Sequence, residues 1–333
     1  MHTNPLTIGS LFSGIGGLDL GIERAGIGRT IYQVELQPFQ RRVLETYWPN
    51  AVHRTDVRTA LREGLPPVDV IVGGFPCTGF SRAGKAEGLR NPASALWFDM
   101  LSIIAAQRPV AVVIENVMSL LQERFAADRE TIYRGLQELG YDVQAPFSVS
   151  SVEVMAPHRR ERVFILAVDR LRAKTAAARL SLPRPPIASR WPVTRHLPRA
   201  SRPTTEPPRT LEKNLRVPGK RDRLQALGNA VVPDVVRAVG IVLGQVMRGE
   251  KIAVPRTVPA TAHAPSPRYW PTPVFRDASG ARRETARKEH WTSNPGTTLT
   301  DAVWLEDKRD YDRPLNPDWV EMLMGFPAGW TRV

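Results

Sequence analysis

A single cysteine, Cys77, stands in Gly73-Gly74-Phe75-Pro76-Cys77-Thr78-Gly79-Phe80-Ser81, just beyond a short apolar run. Its thiolate could serve as a nucleophile. A lone cysteine is also often a small buried hydrophobe, although that role would place it within the run. In Val112-Val113-Ile114-Glu115-Asn116-Val117, an acid and an amide close a strongly apolar stretch. A carboxyl buried in such a place can remain protonated near neutral pH and donate a hydrogen bond; the alternative is a satisfied glutamate that caps the next helix. Pro157-His158-Arg159-Arg160-Glu161-Arg162 brings three guanidinium groups to the start of another apolar run. They suit phosphate or base-edge contacts, or form a solvated charge run.

Leu11-Phe12-Ser13-Gly14-Ile15-Gly16-Gly17 follows the first apolar run, and Glu35 lies about twenty residues on. Glycines let a ligand approach the backbone, and an acid at that distance can hold ribose hydroxyls. The spacing departs from G-x-G-x-x-G, since Leu18 and Asp19 follow Gly17. An NAD-type cofactor, S-adenosyl-L-methionine (AdoMet) and a structural turn all remain open on these residues. Asp56 is suited either to an adenine amino group or to capping a helix. Gly228-Asn229, within Arg223 to Pro233, either closes over a ligand or starts a helix.

These residues need elements to position them. Apolar runs at 6–12, 30–34, 68–72, 110–114 and 163–168 alternate with helical patterns at 17–25, 38–47, 93–106 and 129–139. This alternation predicts an α/β fold with a mostly parallel sheet covered on both faces, and ligands bind at the carboxyl ends of such strands. Residues 1–170 therefore read as a catalytic domain and 171–222 as a basic, proline-rich linker or arm. A helix over 223–249, with Pro233 near its first turn, completes the catalytic domain. Residues 250–333 read as a small irregular lobe.

The chain of 333 residues carries a net charge of +13, and 171–220 alone holds twelve Lys and Arg against Glu206 and Glu212. A polyanion such as nucleic acid is the natural partner, although Arg-rich linkers also arise without one. One cysteine excludes an intramolecular disulfide, and six scattered histidines offer no metal-ligand spacing, so no metal is expected. No apolar run approaches the roughly 18 residues of a membrane helix, and no signal-peptide layout opens the chain. These features indicate no membrane partner and a reducing compartment, the cytoplasm.

Taken together and in this order, the motifs resemble the DNA (cytosine-5)-methyltransferase family over 6–168 and 223–240. Phe12-Ser13-Gly14-Ile15-Gly16-Gly17 is similar to the cofactor loop, Gly74-Phe75-Pro76-Cys77 to the nucleophile loop and Glu115-Asn116-Val117 to the catalytic-acid motif. Arg160-Glu161-Arg162 resembles the paired arginines, and Gly228-Asn229-Ala230-Val231-Val232-Pro233 the closing cofactor motif. Leu96-Trp97-Phe98-Asp99 is similar to a wall of the AdoMet pocket, and His158 stands where many members have Gln.

The resemblance implies a Rossmann-like AdoMet-dependent methyltransferase domain with a small irregular target-recognition lobe. It also implies methyl transfer to C5 of a flipped-out cytosine in double-stranded DNA. The catalytic set would be Cys77, Glu115, Arg160 and Arg162. Phe12, Gly14, Gly16, Gly17, Glu35, Asp56, Leu96 and Asn229 would bind cofactor, and Pro76, Ser81 and Asn116 substrate. A restriction-modification setting with a cognate endonuclease, or a phage or solitary enzyme associated with the nucleoid, follows from the same likeness.

One departure stands out. Tyr269-Trp270-Pro271-Thr272-Pro273 and the segment from Leu315 to Trp330 come after Gly228-Asn229, whereas similar sequences carry them before it, so the recognition lobe is displaced to the C-terminus. Three rivals remain. A NAD-dependent oxidoreductase would leave Cys77, Glu115 and the arginines without a role. A tRNA cytosine-5 methyltransferase could share every motif, and a DNA-binding relative could have lost activity.

Overall fold

The computed structural model describes residues 4–80, 87–180, 208–211, 217–250, 269–274, 298–307 and 314–333. They fall into two compact units, Met1–Val149 with Glu161–Pro185 and Pro233–Thr257, and Ser150–Arg160 with Pro186–Val232 and Val258–Val333.

The first unit is built on a sheet. Strands β1 (Leu6–Leu11), β2 (Gly28–Val34), β3 (Val52–Arg54), β4 (Val70–Gly73) and β5 (Ala111–Val117) run parallel in the order β3-β2-β1-β4-β5. Short strands β6 (Asp142–Val143) and β7 (Phe147–Ser150) precede β8 (Glu161–Val168), which lies antiparallel to β5 and β6. The mostly parallel sheet expected from the apolar runs is present. Its inner strands are apolar on both faces, as with Val70, Ile71, Val112 and Val113, so each face requires a helical cover.

Helices α1 (Gly17–Arg24), α2 (Pro38–Tyr47), α3 (Val57–Ala60), α4 (Trp97–Gln107) and α5 (Ala126–Glu138) connect the strands. Trp97, Met100, Ile103 and Ile104 of α4 and Ile132 and Leu136 of α5 join a core with Ile71, Val112 and Ile114. Because β1, β2, β4 and β5 run parallel, the loops after them lie at one edge of the sheet, and the winding changes direction between β1 and β4. That carboxyl edge is where a doubly wound sheet binds ligands.

Two stretches differ from the sequence expectation. The beginning of the expected linker folds as α6 (Arg170–Ala176), whose first turn is capped by Asp169 accepting from the Arg172 amide. The expected single helix over 223–249 is two, α7 (Lys220–Asn229) in the second unit and α8 (Pro233–Met247) in the first. Pro233 disfavours helical backbone at the residue before it, and Ala230 is already extended with ψ 150°.

By length and composition alone, the stretch Lys220–Met247 is long and apolar enough to cross a membrane, although it is divided between α7 and α8 and interrupted by Asp234 and Arg237. Its most apolar window is 61% buried within the protein, as in a core helix. Within the first unit α8 packs closely along α1, with Gly21 against Val236 and Gly240 against Ala25 and Ile22.

In the second unit, helices α9 (Leu299–Asp307) and α10 (Pro317–Leu323) accompany α7. Arg223 of α7 is buried and donates to Asp318 at 2.6 Å, to Glu321 at 2.7 Å and to the Thr331 hydroxyl at 2.8 Å. Arg209 lies over the ring of Trp270 at 4.4 Å and near that of Trp319 at 5.9 Å. Backbone bridges join His158 to Trp270 and Thr210 to Leu315. Segments far apart in the chain are thus tied together by charge and aromatic faces.

Candidate active site

At the end of β1 the backbone turns sharply. Phe12, Gly14 and Gly16 have φ of 56°, 56° and 81°, and Gly16 caps α1 while Gly17 is buried in its first turn. A side chain at Gly16 would meet the Trp48 ring at 2.5 Å, whereas one at Gly14 would meet nothing within 4 Å. The loop is therefore packed on one side and open on the other.

Glu35, at the end of β2, accepts from the amides of Gly14 and Gln37, each at 2.8 Å. Burial pushes its carboxyl above the ordinary range, against the opposing effect of those two N–H groups and Arg41. Asp56 caps α3 through the Arg58 amide at 3.0 Å, and the Arg58 guanidinium holds its carboxyl below the usual range. Of the two readings of Asp56, the helix cap is the one seen. Leu96 ends a tight turn leading into α4 and packs against the core.

Cys77 follows β4 and is half-buried. With Val117, Met118, Ser119, Leu121, Gln122, Glu161 and Arg162 it lines a cavity of about 590 Å³. Strand β5 runs on through Glu115 and Asn116 to Val117, which pairs with Arg162 of β8. Glu115 is therefore diagonal to Arg162 on one sheet face, and the two form an ion pair at 2.8 Å. The carboxylate is held by a guanidinium rather than left in apolar surroundings or used as a helix cap. Asn116 is buried, and its amide nitrogen donates to the Phe75 carbonyl at 3.3 Å, fixing the approach to Cys77. The Pro76 carbonyl accepts from the Ser94 hydroxyl at 2.8 Å.

The other two arginines do not share this arrangement. Arg159 offers its carbonyl to the Thr272 hydroxyl. Arg160 belongs to the second unit, where it is buried and its guanidinium donates to the carbonyls of Gly228 at 3.2 Å and Pro273 at 3.4 Å. Asn229, next to Gly228, is the exposed last residue of α7. His158 is fully buried, and desolvation with the nearby Arg160 charge lowers its pKa to about 3. Ser81 lies outside the described residues. The sequence reading missed Met118, Ser119, Leu121, Gln122 and Glu161 as cavity walls, because only their nearness in the chain to Asn116 or Arg162 hinted at them.

The family profile described as C-5 cytosine-specific DNA methylase matches residues 6–207. The Type II methyltransferase M.Bsp6I of Bacillus sp. (strain RFL6) is 33% identical over 162 residues, 48% of this chain and 51% of that protein. M.FnuDI of Fusobacterium nucleatum, also a Type II methyltransferase, is 34% identical over 158 residues, 46% of this chain and 44% of the other. The chain spans about half the length of the curated relatives it matches. A solved structure of the Entamoeba histolytica methyltransferase EhMeth aligns with 50% of this chain and 53% of its own, at 20% identity and a TM-score of 0.42.

Proposed function

This chain belongs to the C-5 cytosine-specific DNA methylase family, and on that premise we propose that it transfers a methyl group from AdoMet to C5 of a cytosine flipped out of double-stranded DNA. The observation that carries the reading is the shared cavity: the sole thiol and Arg162 line it together, and Arg162 holds Glu115. C5 of cytosine is a weak nucleophile. Addition of the Cys77 thiolate to C6 breaks the ring's aromaticity, and Glu115, which takes up a proton as the base enters and hydrogen-bonds to N3, stabilises the electron density pushed onto the ring, leaving C5 enamine-like. Arg162 keeps Glu115 oriented and reaches the ring carbonyl. AdoMet supplies the methyl group that C5 takes up. Loss of the C5 proton and expulsion of Cys77 as thiolate then restore the aromatic ring.

The glycine loop fits such a cofactor. Its open backbone at Gly14 and the half-buried Glu35 carboxyl suit a ribose, and Phe12 and Leu96 offer apolar walls. Gly16 and Gly17 form the turn beneath, and Asp56 would contribute beside Arg58. Because C6 is covered in a stacked duplex, the base must leave the helix, at a cost of a few kcal/mol that DNA contacts offset.

We assign the basic segment 171–222 to phosphate binding and the lobe at 250–333, with its displaced order, to target recognition. The ties of Leu315, Asp318 and Trp270 to Thr210, Arg223 and Pro157 support this assignment, since they gather those segments around the Gly228-Asn229 motif. Arg160 acts there as a positioning residue. The Type II names of the relatives suggest a cognate endonuclease and a bacterial cytoplasm.

Target DNA carrying 5-fluorocytosine should trap the protein covalently in the presence of AdoMet. Cys77→Ala should abolish both trapping and methyl transfer while DNA binding persists. Undiminished turnover in that variant would overturn the mechanism, and preference for tRNA over DNA would move the substrate.

A further inference from the structure

We propose that Ser94 is a positioning residue for the nucleophile, holding the chain on both sides of Cys77 with one hydroxyl. This deepens the proposed reaction and rests on it. Ser94 is fully buried. Its Oγ donates to the Pro76 carbonyl at 2.8 Å and accepts from the Gly79 amide at 3.0 Å. One bond precedes Cys77 and the other follows it, so the reactive residue is carried on a short span pinned at each end.

Other links complete the span. The Phe80 amide donates to the Cys77 carbonyl at 2.9 Å, and Asn116 holds the Phe75 carbonyl. The Ser94 hydroxyl differs from these in reaching both ends at once. A hydroxyl can donate and accept together, and alanine can do neither. Truncation would strip the buried Gly79 amide of this bond in a place where water cannot readily replace it.

The chain has no slack to compensate. A Cβ at Gly79 would lie 2.1 Å from the Gly88 carbonyl oxygen, so the backbone there is already pressed against its neighbour. Ser94 also opens the turn that ends at Leu96, the expected cofactor wall. One hydroxyl therefore ties the position of the thiol to the segment beside the methyl donor. Thiol, ring carbon and methyl group must align, and a misplacement of about 1 Å can cost roughly 100-fold in rate.

The sole cysteine makes the test direct, because iodoacetamide then reports on Cys77 alone and needs no substrate. In the full chain, Ser94→Ala should lower kcat by about 10- to 100-fold and slow 5-fluorocytosine trapping in step, with KM for AdoMet moving less than about threefold. Its Cys77 alkylation rate should change by more than about threefold, and Ser94→Thr should recover most of both losses. Equal alkylation rates in Ser94→Ala and the parent overturn the assignment whatever the reaction proves to be. If Ser94→Ala does not fold, the threonine variant decides: turnover within about fivefold of the parent upholds the clamp, and a folded protein with a larger loss overturns it. Absence of methyl transfer and trapping in the parent overturns the reaction instead, and the alkylation comparison keeps the two failures apart.

Discussion

The two units achieve order by different means. In the first, an apolar sheet is covered by helices, and the polar residues of interest lie at its carboxyl edge. In the second, pieces from 150–160, 208–211, 217–232, 269–274 and 314–333 are joined by buried charge. Glu321 is fully buried and accepts from Arg223, from the amides of Gly329 and Thr331 and from the Thr331 hydroxyl. Asp318 is shared by Arg223 and Arg332. An apolar core tolerates the loss of an edge carboxylate, whereas a buried ionic centre is damaged by the loss of one member. The units also hold opposite titratable groups. Asp19 of the first is buried between Ser10 and Gln33, and burial raises its carboxyl to about 7; His158 of the second is lowered to about 3.

This contrast can be broken at several points. The largest effect belongs to the first unit's edge. Glu115→Gln should reduce single-turnover methyl transfer by about 100- to 10,000-fold while the thermal midpoint stays close to the parent's. A comparable loss of fold would show that the edge is structural after all. Next comes Glu321→Ala, expected to destabilise the second unit by about 3–5 kcal/mol, read from limited proteolysis across a urea series. A loss under about 1 kcal/mol would remove the ionic centre as the unit's main tie.

The pH pair is subtler. In the fold Asp19 keeps its proton until pH approaches about 7, so its contribution is complete below 3.8 and disappears as pH rises through about 7. His158 stays neutral, so its contribution is complete above 6.5 and disappears as pH falls toward 3. Asp19→Asn should flatten the alkaline-going decline in denaturation midpoint, and His158→Gln the acid-going one. Exchange of those two signatures would contradict the burial assigned to each. The smallest effect is at Met155, exposed with φ of 66°, where Met155→Gly should gain about 1 kcal/mol or less in the second unit's midpoint.

Much of the first unit was legible in the sequence. Continuous apolar runs of strand length imply parallel pairing, and parallel pairing sends function to the carboxyl ends, where Phe12, Glu35, Cys77 and Glu115 all stand. Register was not legible. That Arg162 meets Glu115 depends on an antiparallel pairing of β5 with β8 that no local pattern specifies. Arg160, two residues earlier and of the same type, goes instead to the carbonyls of Gly228 and Pro273. Ser94 carried no signal, since it falls in the first turn of the helical pattern read over 93–106, where a serine is unremarkable.

Residue types and periodicity were enough to determine the α/β class, the single thiol, the glycine turn and the family likeness, because each depends on interactions within a few residues or on the alternation of strand and helix. The partner of each charge was decided by tertiary structure. So were the break at Ala230–Val232, the gathering of the C-terminal segments around Arg223 and the double hold on the Cys77 span. Those outcomes depend on which distant groups share a buried space, and burial makes a hydrogen bond or ion pair obligatory without marking either partner in the sequence.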